Sequence, residues 1–198
     1  MERGFLAAAA EGHQSRESAA DFERCLQLGG TDLRDDELVA TLFALAGYYV
    51  VRAGLRGAAQ VLELLRAGLE QGRRWFRPVI DTSFGVVAWL RGEFAAARSH
   101  LEAATADETA VDQHEIDAVW FLPEEPIATA RIYLALVGLV RGDLVGADAE
   151  LAQAARRAEQ LGVPQGAWSL AYARLVESWL RIEAGRLDRA AAGERARR

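Results

Sequence analysis

The sequence predicts an all-α protein, a single domain over residues 1–198 built as an array of helical hairpins with eight or nine helices, and three observations carry that prediction. Composition is the first: 51% of the residues are hydrophobic, alanine, leucine and arginine dominate, and only 4 of 198 are proline, a balance that favours helix and calls for no strand. The second is an apolar stripe, Leu or Phe followed by Ala three residues on, Leu four further on and Ala or Leu three beyond that, which recurs along the chain. The third is a glycine just ahead of the stronger copies, where a left-handed residue ends one helix and lets the chain reverse into the next.

The stripe occupies Leu55, Ala58, Leu62 and Leu65, then Phe94, Ala97, Leu101 and Ala104, then Leu144, Ala147, Leu151 and Ala154. A further copy begins at Leu187 and Ala190, and a weaker one, first in the chain, is Ser15, Ser18, Phe22 and Cys25. Alternating spacings of three and four put each set on one helix face. The other face is polar, with Asp148, Glu150, Arg156, Arg157 and Glu159 in the third copy. Gly54, Gly92, Gly142 and Gly185 supply the turns. On the preceding helix, nine residues before each stripe, stand Ala46, Gly85, Ala135 and Ser178. Small side chains there allow the close approach that an antiparallel pair needs.

These signals place a helix near 16–28 and pairs near 35–53 and 55–71, 78–91 and 93–105, 126–141 and 143–161, and 166–184 with 187 onward. The hairpins therefore lie near 35–71, 78–105, 126–161 and 166–196. Pro78 and Pro126 suit first-turn positions, Gly29, Gly72 and Gly162 suit C-terminal caps, and Pro164 follows a stop. The stripe alanines, Ala58, Ala97, Ala147 and Ala190, are 39, 50 and 43 residues apart, so no strict 34-residue period exists. The longest interval holds an inserted acidic loop, 107–125, with Val119-Trp120-Phe121-Leu122-Pro123 in it. A long connection of this kind is either functional or disordered.

With their small residue, Gly, aromatic or Leu, Ala, Leu and small residue at set offsets, the hairpins resemble degenerate tetratricopeptide repeats. The segments from Asp36 to Glu63, Phe84 to Ala104 and Val119 to Ala173 resemble, more specifically, the helical-repeat region of large bacterial signalling proteins. In those an adenylate or guanylate cyclase domain, or a DNA-binding domain, precedes a nucleotide-binding ATPase and then the repeats. LuxR-type and antibiotic-regulatory activators of actinobacteria are relatives. The resemblance covers roughly residues 15–192, and its most specific parts are Gly92-Glu93-Phe94-Ala95-Ala96-Ala97-Arg98 with His100-Leu101-Glu102, and Trp120 to Ala128. It implies a right-handed α-α superhelix and a non-catalytic scaffold or regulatory module for protein–protein or interdomain contact in signalling or transcription regulation. It also implies that the chain is a fragment of a larger architecture, since the phosphate loop GxxxxGK[ST] of the ATPase is absent, along with any segment for cyclase carboxylates or a helix-turn-helix.

The residues exclude several chemistries. A formal charge of −6 argues against a nucleic-acid surface, which needs a clustered basic face. All 23 basic residues are Arg, a usage that fits a GC-rich genome better than anion recognition. One cysteine, Cys25, permits no internal disulfide and fits packing in a reducing compartment. Phe5 to Ala10 is too short for a membrane span and a poor signal peptide, so the expected location is the cytoplasm. His13, His100 and His114 lack partners at ligand spacing, and Asp107, Glu108 and Asp112 lack the turn glycine of a calcium loop. Asp35-Asp36 and Glu124-Glu125 precede helices, where carboxylates are favourable, and adjacent residues do not converge for acid–base work. Gly54-Leu55-Arg56-Gly57 is a turn between helices, not a phosphate cradle. No catalytic residue, metal or cofactor is implied, and the expectation is that the chain is not an enzyme.

In tetratricopeptide arrays the first helix of each pair lines the concave surface, where solenoids bind. Transferring that register points Phe43 and Val50 inward from the first pair and Val86 and Trp89 from the second. Ile132, Leu136 and Leu139 follow from the third, and Tyr172, Leu175, Trp179 and Ile182 from the fourth. This lining is apolar and lacks a basic clamp for a peptide carboxylate. Two occupants compete: Trp120, Phe121 and Leu122 of the insert folding back as a plug, which is favoured because long apolar patches are rare on isolated domains, or a hydrophobic helix or loop from another domain. A small-ligand-sensing groove is the alternative function. The apolar surface around Leu187 also suggests a homo-oligomer. Replacing Trp120 and Phe121 with Ala separates the two occupants: a plug lowers the melting temperature sharply, whereas an unchanged melt with lost partner binding rejects it.

Overall fold

The computed structural model describes residues 16–29, 36–70, 76–106 and 125–185. Expectations for Phe5 to Ala10, Gly72, His13, His114, the Trp120-Phe121-Leu122 insert, Leu187 and Ala190 lie outside these residues, as does the side chain of Cys25. The described chain is helical with no strand. Among the described residues eight helices follow one another: α1 Arg16–Gly29, α2 Asp36–Val51, α3 Leu55–Glu70, α4 Arg77–Leu90, α5 Phe94–Thr105, α6 Pro126–Val140, α7 Leu144–Gln160 and α8 Gln165–Glu183. Pro126 opens α6 and Pro78 lies in the first turn of α4, where a missing N–H costs nothing.

Packing follows chain order. The pairs α2/α3, α4/α5 and α6/α7 are hairpins, α3 meets α4, α5 meets α6 and α7 meets α8, while the first helices also touch, α4 with α6 and α6 with α8. Three apolar clusters fill the spaces, one around α2, α3 and the start of α4, one between α4, α5 and α6, and one between α6, α7 and α8. The stripe alanines Ala58, Ala97 and Ala147 are all at most 1% exposed. Their partners are as close as the small-residue spacing requires: a Cβ on Gly85 would stand 2.5 Å from the buried Leu101 side chain.

One turn geometry recurs along the described chain. At Gly92 (φ +76°) and Gly142 (φ +77°) the backbone is left-handed. The following N–H closes on the helix behind it, Glu93 to Ala88 at 2.9 Å and Asp143 to Gly138 at 2.9 Å, the pairing that satisfies orphan carbonyls at a helix end. The same residues then accept the first bonds of the next helix, from the Ala97 and Ala147 amides. Asp143 adds a side-chain cap to the Gly146 amide at 2.9 Å. Gly185 (φ +69°) repeats the left-handed turn after α8.

In the first hairpin the structure departs from the glycine expectation. The left-handed residue is Ala53 (φ +57°), and Gly54 is the next residue, bonded to the Tyr49 carbonyl at 2.7 Å. What Gly54 and Gly57 provide is space, since a Cβ on either would press on the Tyr49 ring at 3.2 to 3.3 Å. That ring bridges to α1, its hydroxyl donating to Glu23 at 3.2 Å. Burial, and then this bond to a carboxylate, raise the Tyr49 phenol above its ordinary pKa.

Gly29 stands at the end of α1 as expected, whereas Gly162 has no positive φ, and α7 ends at Leu161 in extended backbone (ψ 144°). Here the close approach falls on Gly166, where a Cβ would lie 2.3 Å from the Leu161 carbonyl oxygen.

Ala53→Gly is expected to stabilise the protein, because an L-residue in the left-handed region costs about 1 to 2 kcal/mol and Ala53 is exposed, with little packing to lose. A higher denaturation midpoint at unchanged slope is the expected readout; a lower midpoint rejects the turn assignment.

Candidate functional site

The candidate lining comes from the first helix of each hairpin, so its geometry depends on which helical positions those elements share. Aligning the turns sets Phe43, Thr82, Ile132 and Leu175 at one position, Gly47, Val86, Leu136 and Trp179 at a second, and Val50, Trp89, Leu139 and Ile182 at a third. In the first position Phe43, Thr82 and Ile132 are buried, and Leu175 is exposed. In the second, Val86 is half-buried, Leu136 buried and Trp179 exposed. In the third, Val50, Trp89 and Leu139 are half-buried and Ile182 is exposed.

Phe43 and Ile132 therefore belong to the core and offer no surface to a partner. Phe43 packs edge-on against Phe76 with centroids 4.9 Å apart, and Ile132 sits in the α6–α7–α8 cluster. The residues brought together at the surface are Trp89, Tyr133 and Tyr172. Trp89 meets Tyr133 edge-on at 5.7 Å, and Tyr133 meets Tyr172 at 6.2 Å, so one row of rings joins α4, α6 and α8. Tyr133 is absent from the register transfer, and its only sequence signal is an aromatic one residue from Ile132. Trp120 and Phe121 lie outside the described residues.

The row contains a buried polar donor. The Trp89 indole N–H is buried with no acceptor among the described residues, and the Thr129 hydroxyl is likewise buried and unsatisfied. Such groups are uncommon in folded interiors.

Beside the row, Leu136, Leu139, Val140, Leu144, Trp179 and Glu183 line an opening of about 420 Å³. Among its lining residues Leu139 stands where α4 carries Trp89, whose ring lies 6.4 Å from that of Phe94 in the preceding hairpin. The Trp179 indole donates to Glu183 at 3.1 Å at its rim.

Charged groups elsewhere have structural partners. Glu125, read from sequence as a helix-terminal carboxylate in the inserted loop, is 1% exposed and caps α6 by accepting from the Ala128 amide at 2.7 Å. Arg157 of α7 grips the same carboxylate with two bonds, Nε to Oε2 at 2.8 Å and a terminal nitrogen to Oε1 at 2.9 Å. The Glu125 amide donates to the buried Ser169 hydroxyl of α8 at 2.9 Å. Three helices thus meet at one residue, Glu125, two at its carboxylate and one at its amide, and nothing in the spacing of Glu125, Arg157 and Ser169 announces it.

A second charge pattern repeats between hairpins. Arg131 of α6 pairs with Glu150 of α7 at 2.8 Å, and fifty residues earlier Asp81 of α4 faces His100 of α5 at 3.9 Å, with the acidic residue on the first helix instead of the second. His100 also stacks on Phe84 at 5.4 Å, and Arg66 of α3 lies over the same ring. These contacts make His100 a hairpin tie. Among the described residues no group of three or more His, Cys, Asp or Glu is placed to hold a metal ion, and none of their helices is long and apolar enough to cross a membrane. The chain matches no protein-family model, no curated protein and no solved structure.

Glu125→Ala is expected to lower stability by about 3 to 5 kcal/mol, because it removes both guanidinium bonds from a largely buried Arg157 together with an amide cap, whereas Asp143→Ala at an exposed cap costs only about 1 kcal/mol. Urea melts of the two variants check the ratio; equal losses overturn the clamp.

Proposed function

We propose that the chain is a non-catalytic, tetratricopeptide-like helical-repeat module, a right-handed α-α superhelix that mediates protein–protein or interdomain contact in bacterial signalling or transcription regulation. The observation that carries this reading is the repeated hairpin, whose turns at Ala53, Gly92 and Gly142 keep one register while each helix packs on its sequence neighbours. Arrays of this type grow along one dimension and present extended surfaces to partners. The half-buried row of Trp89, Tyr133 and Tyr172 is the kind of surface that rigid aromatic anchors make at interfaces. Glu125 with Arg157, Asp143, and Arg131 with Glu150 act as caps and ties, which is structural work. A cytoplasmic location belongs to the same proposal.

The opening at Trp179 favours a second reading, in which the module senses a small apolar ligand. Its size falls in the range of ligand pockets, about 300 to 1,000 Å³. Trp179 fluorescence reports on occupancy, and a ligand screen without a thermal shift or emission change counts against it.

Two measurements test the leading proposal. The purified chain should show no cyclase or nucleotide-hydrolysis activity, and detectable turnover would falsify the non-catalytic assignment. Val86→Arg, at a half-buried position beside Trp89, should keep the helical circular dichroism and melt while losing the partner that the native chain captures. Equal capture by both chains rules out this row as the binding surface.

A further inference from the structure

The opening beside Trp179 has more than apolar walls. Leu136, Leu139, Val140 and Leu144 line it from α6 and α7, and Trp179 and Glu183 from α8. Glu183 is the one charged residue in that lining, and its carboxylate is oriented by the Trp179 indole, which donates to Oε1 at 3.1 Å. Among the described residues no cation pairs with it. The two arginines of α8 are engaged with other acids, Arg174 with Glu159 and Glu177, and Arg181 with Glu177. Two helices also end here. Val140 is the last residue of α6 and Glu183 the last of α8, so the negative ends of two macrodipoles lie at the same mouth as the carboxylate. The last turn of α6 has no basic residue, and Arg141, which follows it, is exposed and absent from the lining. An opening of about 420 Å³ with apolar walls, an unpaired carboxylate and two helix C-termini matches a molecule with an apolar body and one positive charge.

We propose that this opening binds an apolar primary ammonium, with its aliphatic or aromatic body against Leu136, Leu139 and Leu144 and its charged group at Glu183. The proposal rests on the reading of the opening as a ligand site and gives that ligand its charge. Trp179 uses Oε1 of the carboxylate, which leaves Oε2 to accept from the ammonium. The partly exposed indole beside it adds the attraction of an aromatic face for a cation. An anion meets repulsion from the carboxylate and from both helix ends. Because Glu183 is exposed, its pairing with the ligand is screened by water. The walls therefore supply most of the affinity, and the carboxylate supplies the choice of charge.

Titration of the full chain with n-hexylammonium, 1-hexanol and hexanoate, followed by tryptophan emission and by thermal shift, tests this. Hexylammonium is expected to bind about three- to tenfold more tightly than hexanol, with hexanoate the weakest of the three, and added salt should narrow the gap. Glu183→Gln keeps an acceptor for the indole at an exposed position, so its melt should match that of the native chain. That variant should bind hexanol as before and lose the preference for the ammonium. Trp179→Phe should remove the emission change. Equal binding of hexanol and hexylammonium overturns the proposal and leaves the apolar-ligand reading standing, whereas binding of neither removes both. An ammonium preference that survives Glu183→Gln, or an emission change that survives Trp179→Phe, places the ligand elsewhere and also overturns it.

Discussion

Two helices joined by three residues must touch along their length, and this constraint organises the molecule. At Gly92 and Gly142 a single left-handed residue ends one helix, and the next residue starts the following one while still bonded to the helix behind it. No loop is left to absorb a bulky contact. The alanine that follows is therefore at most 1% exposed in every described hairpin, and its neighbour on the first helix is small. At Gly85 even a methyl group would meet the Leu101 side chain. Backbone approach at this range brings the larger apolar residues of each stripe into dispersion contact with the facing helix.

From that geometry follows the difference between covered and uncovered rows. A first helix has its stripe-facing side filled by its own hairpin partner, and a second side filled by the next hairpin. Ile132 and Leu136 are covered on both counts. Leu175 and Trp179, at the same positions one hairpin later, are not. Exposure along the array is thus set by where a helix stands in the stack, not by its own composition. The half-buried rings at Trp89, Tyr133 and Tyr172 occupy the junctions between stacked first helices, where a flat side chain spans the gap.

Polar groups define the joint between the last two hairpins. A carboxylate removed from water needs donors in place of the lost solvent, and Glu125 has an amide cap and two guanidinium bonds. Because the partners come from α6 and α7, with Ser169 of α8 on its amide, the cluster fixes the relative rotation of three helices. The ties Asp81–His100 and Arg131–Glu150 act within hairpins. At the matching place in the first hairpin stand Leu42 and Val61, both buried and apolar, so the same contact is made with or without charge.

Helix order, the hairpin turns and the element ends, to within one or two residues, were legible in the sequence, because they depend on periodicity and on backbone chemistry confined to a few neighbouring residues. Gly92, Gly142 and Gly185 read directly as left-handed turns. Ala53 did not, since a glycine beside it offered the more obvious candidate, and only the approach of the Tyr49 ring reveals what Gly54 is for. The burial of the inward-register residues was not legible: register alone sets Phe43 and Ile132 in line with Trp179, and it contains no information about how many neighbours stack against each. The buried Glu125 cluster and the Gly166 crossing were not legible at all. They join residues 32 and 44 positions apart in the first case and depend on the angle between helices in the second. The sequence by itself determined the units and the turns between them; the tertiary structure decided which side chains those units bury, because burial is a property of the stack and not of any one helix.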